Sequence, residues 1–140
     1  MLDKETIMDR INLIKKSKKR LNDFQKMSVK EFKDSGDNYA IAEHHLRISI
    51  EAVLDIGRHV CIQKNLGQPK DYTEIFDILG DNYILNPEFA EKIRGMAGYR
   101  NRLVHMYNKI TSQELYQIIK ERLEDFDIFI KQIMKNIDFN

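Results

Sequence analysis

Tyr39-Ala40-Ile41-Ala42-Glu43-His44-His45-Leu46-Arg47-Ile48-Ser49-Ile50-Glu51-Ala52-Val53-Leu54-Asp55-Ile56-Gly57-Arg58-His59 runs on to Lys64 without a proline. Ile41, His45, Ile48, Ala52, Ile56 and His59 recur at helical spacing and make one stripe. Ala42, Leu46, Val53 and Val60 make a second stripe beside it. A helix apolar over so wide an arc touches more than one neighbour, which places it at the centre of a helical domain. The stretch therefore predicts a helix over about Tyr39 to Lys64, ended near Gly67 and barred from continuing by Pro69.

The flanking sequence supplies its neighbours. Asp3 can cap a helix running to about Met27, with Ile7, Ile11, Ile14, Leu21 and Phe24 on one face. Lys33 to Asn38 reads as a loop of turn formers. A short helix is expected from Asp71 to Leu79, stopped by Gly80. Asn86-Pro87-Glu88 combines a cap, a first-turn proline and a first-turn acid, and opens a helix through Phe89, Ile93, Met96 and Ala97. Gly95 and Gly98 weaken that helix, and close approach of a neighbouring helix is the expected compensation. Thr111 and Glu114 form a capping box for a last helix to about Ile137. Its inward positions are Leu115, Ile118, Ile119, Leu123, Phe126, Ile130 and Ile133. The expected fold is all-α: an antiparallel four-helix bundle with one additional short helix, in one domain over residues 1–140.

Composition agrees and excludes several classes. With only 6 Gly and 2 Pro, the chain is poor in the residues that turn-rich β structure needs. A formal net charge of +1 argues against wholesale coating of nucleic acid but permits a local basic site. The run Lys15-Lys16-Ser17-Lys18-Lys19-Arg20 reads as a solvated face. Cys61, the one cysteine, cannot form an intrachain disulfide; it fits a reducing cytoplasm and a packed helix. No apolar stretch reaches membrane-spanning length and no signal-peptide core is present, so the expected location is cytoplasmic. There is no Gly-rich phosphate loop, HExxH or CxxC pattern, so neither a cofactor nor a metal is expected. His45 shares an apolar stripe and reads as a packing histidine. Glu43, Glu51 and Asp55 are candidates for pairing with arginines or for lining a dimer seam, and the sequence does not decide between the two.

Chemistry concentrates in Arg100-Asn101-Arg102-Leu103-Val104-His105-Met106-Tyr107. Arginine is a permanent cation whose fork matches phosphate, and histidine exchanges protons near neutral pH. Together they suit attack of an RNA 2′-OH on its neighbouring phosphorus. A base takes the 2′ proton, an acid protonates the 5′ leaving oxygen, and a cation neutralises the growing charge, with no metal required. At about 100° per residue, Arg100 and His105 stand ~140° apart and cannot share one face of a straight helix. Asn101, four residues before His105, can orient its ring, and Arg102 is its other neighbour and an RNA-binding candidate. Arg100 and Tyr107 fall on nearly one line. A two-fold dimer pairing this helix with its mate would gather two histidines and several arginines around one cleft. On spacing alone the pair also fits a surface arginine and a helix-capping histidine.

Three segments together resemble the HEPN superfamily, specifically the HepT-like ribonuclease toxins of prokaryotic toxin–antitoxin pairs. They are Tyr39 to His59; Pro69-Lys70-Asp71-Tyr72 with Phe76 and Leu79; and Met96 to Tyr107, which is similar to the family signature Arg-x4-His-x-Tyr. The resemblance covers roughly Tyr39 to the C-terminal helix. It implies a helical homodimer with a composite RNase cleft, in which Arg100 and His105 are catalytic and Asn101 fills the polar position after the arginine. It also implies a nucleotidyltransferase antitoxin of the MntA type, which uses ATP to add AMP to the motif tyrosine, here Tyr107, in an assembly that can grow into a larger hetero-oligomer. Bulk and negative charge beside the cleft would then exclude substrate phosphate. Two other classes stay open: within the resemblance, a noncatalytic HEPN module that docks a nucleotidyltransferase and supplies regulation; and a structural dimeric bundle.

Overall fold

A computed structural model describes residues 3–105 and 110–137, and among these the chain is helical with no strand. The elements are α1 (Lys4–Gln25), α2 (Val29–Asp34), α3 (Gly36–Gln63), α4 (Tyr72–Asp81), α5 (Pro87–Ile93), α6 (Gly95–Val104), α7 (Ser112–Arg122) and α8 (Glu124–Asn136). As expected from its two stripes, α3 is central. It packs most extensively on α1 and also meets α2, α4, α6, α7 and α8.

The face of α1 is the predicted one: Ile7, Ile11, Ile14, Leu21 and Phe24 are all buried. The turn missing from that apolar series holds Ser17, also buried, with its Oγ 3.1 Å from His45 Nδ1 on α3. His45 is thus a packing histidine with one polar contact. Asp3 caps α1 by accepting from the Thr6 amide at 3.2 Å. At the other end, Gln25 Nε2 donates to the Ile119 carbonyl (3.1 Å) and Lys120 Nζ donates to the Gln25 carbonyl (2.8 Å), tying α1 to α7.

The elements differ from the sequence expectation in four places. First, α2 was not anticipated. Ser28 and Glu31 form a reciprocal capping box, and Phe32 is buried edge-on to Phe24 at 5.8 Å. The expected loop shrinks to little more than Ser35, and α3 starts at Gly36. Second, Gly80 does not stop α4, which continues to Asp81. A Cβ on Gly80 would meet Ala90 Cβ at 2.9 Å, so glycine here admits α5 rather than ending a helix. Third, Gly95 and Gly98 are not close-packing positions, because a Cβ on either meets nothing within 4 Å. The close approach is at Gly57, where a Cβ would lie 2.5 Å from Ile75 of α4.

Fourth, two expected long helices are each divided. The break between α5 and α6 falls at Arg94, with Arg94 N–H donating to Glu91 O (3.3 Å) and Ala97 N–H to Arg94 O (3.2 Å). Between α7 and α8, Phe126 N–H donates to Leu123 O at 3.2 Å. These are three-residue bonds that tighten the helix locally, and Arg94 and Leu123 themselves keep helical dihedrals. Asp125, just past the second break, is 3% exposed and bonded to Arg122 (2.7 Å) and Lys92 (3.2 Å), so one carboxylate joins α5, α7 and α8. Taken as continuous rods, α5–α6 and α7–α8 complete the four-helix plan with α1 and α3. The short additions are α2 and α4.

Candidate functional site

Arg100, Asn101 and Arg102 lie on the last turns of α6, whose C-cap is His105. At His105 the backbone leaves the helix (φ −95°, ψ 124°), although its N–H still donates to Asn101 O at 3.1 Å. Asn101 and His105 thus keep the one-turn spacing on which the expected ring contact rests. The cap residue is extended, and among the described residues no side-chain hydrogen bond joins the two. His105 is exposed at the end of the element.

Arg100 turns toward α4. Its Cζ sits 4.8 Å from the centre of the Tyr72 ring, over which Arg58 Cζ of α3 also lies, at 5.4 Å. Among the described residues neither guanidinium pairs with a carboxylate. Asn101 lines a neighbouring cleft of about 590 Å³ with Arg58, Pro69, Lys70, Tyr72 and Gly98.

Arg102, the RNA-binding candidate, is tied to α7. It forms a two-pronged salt bridge with Glu114 of α7, Nη1–Oε2 2.7 Å and Nη2–Oε1 2.9 Å. The guanidinium hydrogen bonds hold the Glu114 carboxyl below the usual carboxylate range, and Glu114 in turn raises Arg102. Glu114 is also the third residue of the Thr111 capping box. Tyr39 of α3 adds a hydrogen bond from its hydroxyl to the Ile110 carbonyl. Both ends of the 105–110 connection are thus anchored. Tyr107 lies outside the described residues.

The remaining candidates are accounted for. His44 and His45 stack edge to face at 5.0 Å. Burial first, then the charges of His44, Arg20 and Lys16, lower the His45 pKa. Glu43 pairs with Arg47 (3.2 Å) and Asp55 with Arg10 (3.4 Å), the first of the two readings left open for them. Within the charge run, Lys18 reaches Asp127 at 2.8 Å. Cys61 is fully buried and burial pushes its thiol up to about 11, an unreactive setting. Among the described residues no three His, Cys, Asp or Glu side chains gather as a metal set. None of the described helices is long and apolar enough to cross a membrane. Sequence reasoning missed Tyr72, Arg58, Lys70 and Glu114 as parts of this neighbourhood. Only Glu114 left a usable signal, through its capping box.

The all-helical frame is one the chain shares with a class of solved structures, the HEPN toxins. The match to known proteins is specific: the ribonuclease HepT-like family profile covers residues 14–133, and the chain belongs to that family. It is 31% identical over 127 residues to the tRNA nuclease HepT of Aphanizomenon flos-aquae, an alignment covering 91% of this chain and 86% of that one. It is 30% identical over 89 residues to the mRNA nuclease HepT of Shewanella oneidensis, covering 64% and 67% respectively. Its fold superposes with a TM-score of 0.85 on the tri-AMPylated Shewanella oneidensis HEPN toxin in complex with its MNT antitoxin, at 27% identity over 96% of this chain and 99% of that one. The chain is an endoribonuclease.

Proposed function

We propose that this protein is the toxin of a prokaryotic toxin–antitoxin pair, a metal-independent endoribonuclease acting on tRNA or mRNA in the cytoplasm. Its site is shared between two copies of the chain. The observation that carries this reading is the divergence of Arg100 and His105. One turns to Tyr72 and the other leaves the helix end, about 7.5 Å further along the axis at 1.5 Å per residue. Among the described residues a single chain presents an arginine with no carboxylate partner and an exposed imidazole, and a two-fold mate would supply the complements.

The chemistry follows from those groups. A neutral His105 takes the 2′ proton as O2′ attacks phosphorus. The P–O5′ bond breaks, and the departing 5′ oxygen takes a proton from a protonated His105 of the other copy. Arg100 neutralises the phosphoryl oxygens as their charge grows. The products are a 2′,3′-cyclic phosphate, hydrolysable to a 3′-phosphate, and a 5′-hydroxyl; DNA has no 2′-OH and is not cut. Asn101, beside the cleft, contacts the substrate.

The cognate antitoxin is a nucleotidyltransferase that transfers AMP from ATP to Tyr107, blocking phosphate entry by bulk and repulsion. Tyr107→Phe is expected to stay toxic in cells and to escape the antitoxin. Continued protection by the antitoxin would remove Tyr107 as the control point.

The direct test is incubation with bulk tRNA in excess EDTA beside Arg100→Ala and His105→Ala. Wild-type cleavage leaving cyclic or 3′-phosphate ends, with both variants reduced at least ~100-fold, supports the mechanism. Intact RNA in all three, after mass spectrometry excludes AMP on Tyr107, favours a docking module.

A further inference from the structure

Arg58 on α3 and Arg100 on α6 come from different elements, yet each guanidinium lies about 5 Å from the centre of one ring, that of Tyr72. An aromatic face attracts one cation readily; two around the same ring repel each other unless an anion joins them. Among the described residues, Arg58, Lys70 and Arg100 have no carboxylate partner. Lys70 and Arg58 line the adjoining 590 Å³ cleft. The one carboxylate in that lining, Asp71, is engaged as the α4 cap, accepting from the Glu74 amide at 2.8 Å. The lining thus holds two cations, Arg58 and Lys70, against one engaged carboxylate, and Arg100 lies beside it on the Tyr72 ring. The cleft floor is open at Gly98, where a Cβ would meet nothing within 4 Å. A guanidinium that lies over a ring without a carboxylate partner keeps N–H groups available for phosphate oxygens. Clustered cations without partners, next to an open polar cleft and the motif arginine, suit a polyanion approaching from the α4 side.

We propose that Arg58 and Lys70 bind RNA phosphates flanking the scissile one, and that Tyr72 is a positioning residue that sets the Arg100 guanidinium. The path of the strand then runs from the α6 end across the start of α4. The proposal rests on the ribonuclease reading and adds to it the direction of the substrate.

The test separates binding from cleavage. Labelled tRNA is titrated into His105→Ala protein at several salt concentrations, and into the same protein carrying Arg58→Ala, Lys70→Ala or both. All these side chains are exposed, and circular dichroism confirms that each variant is folded. Each loss should weaken binding and lower the slope of log affinity against log salt by roughly 0.7 to 0.9. Lys131→Ala, exposed on α8 and outside the cleft, controls for net charge. In the active background, Arg58→Ala and Lys70→Ala should raise KM and leave kcat within about twofold. Tyr72→Leu should lower kcat about tenfold or more, with Tyr72→Phe restoring it, because the ring face rather than the hydroxyl holds Arg100. Wild-type affinity and salt slope in the Arg58→Ala/Lys70→Ala protein would overturn the phosphate subsite. An equal loss in Lys131→Ala would do the same, and equal kcat in Tyr72→Leu and Tyr72→Phe would overturn the positioning role. No RNA binding by the parent protein would sink the subsite outright. Binding with this pattern but no cleavage by wild type would instead overturn only the nuclease mechanism.

Discussion

At the scale of single residues, Arg102 shows how a motif side chain can serve its neighbours. Its place three residues before His105 marked it as an RNA contact, but its guanidinium is held by both oxygens of Glu114. That pair spans the connection containing His105 and Tyr107. Glu114→Gln keeps the capping geometry while removing the charge on one side of the bridge. It should reduce RNA cleavage about ten- to hundredfold through misplacement of His105, with KM nearly unchanged. Steady-state kinetics would check this, and unchanged kcat would mean that the bridge does not position the histidine. His45 makes a separate, pH-dependent prediction. Its folded pKa lies below the unfolded value, so below about 6.5 the unfolded chain binds more protons. Stability is therefore full above the unfolded pKa and falls as pH drops toward the folded one. Thermal melts at pH 7.5 and 5.5 should show a smaller acid-side loss for His45→Gln, whose amide can keep a bond to Ser17. Equal losses in both proteins would remove His45 as the cause.

At the scale of elements, the helices with complete local signals were readable. Asn86-Pro87-Glu88 and Thr111 with Glu114 open their helices where expected, because capping is a short-range bond between neighbours in sequence. The breaks at Arg94 and Leu123 were not readable, since both residues keep helical dihedrals and only the hydrogen-bond register changes. Glycines misled for a related reason. A sequence shows that a side chain is missing but not which neighbour comes close. The structure reverses the expectation, so the glycines make opposite predictions. Gly98→Ala, in open space within α6, should stabilise by about 0.5–1 kcal/mol. Gly57→Ala must displace Ile75 and should destabilise by about 1–3 kcal/mol. Urea denaturation of the two variants decides it, and a loss in Gly98→Ala would mean that this part of α6 is more crowded than its surroundings indicate.

For the whole molecule, the bundle delivers α6 with Arg100 set over Tyr72 of α4 and His105 exposed at its end. The motif residues were legible from one stretch of sequence, and the family from three segments together. The Arg58–Tyr72–Arg100 cluster was not, because it joins three elements that are distant in sequence and no local pattern encodes such a meeting. The division of labour between two copies is the central claim, and one measurement tests it directly. Wild-type chains are co-refolded with increasing amounts of the Arg100→Ala/His105→Ala double variant, and tRNA cleavage per wild-type chain is followed in EDTA. A shared site predicts that cleavage per wild-type chain falls toward zero as mixed dimers take over. Constant cleavage per wild-type chain at every ratio, with mixed dimers shown by native mass spectrometry, would mean that each chain carries a complete site and would contradict the account.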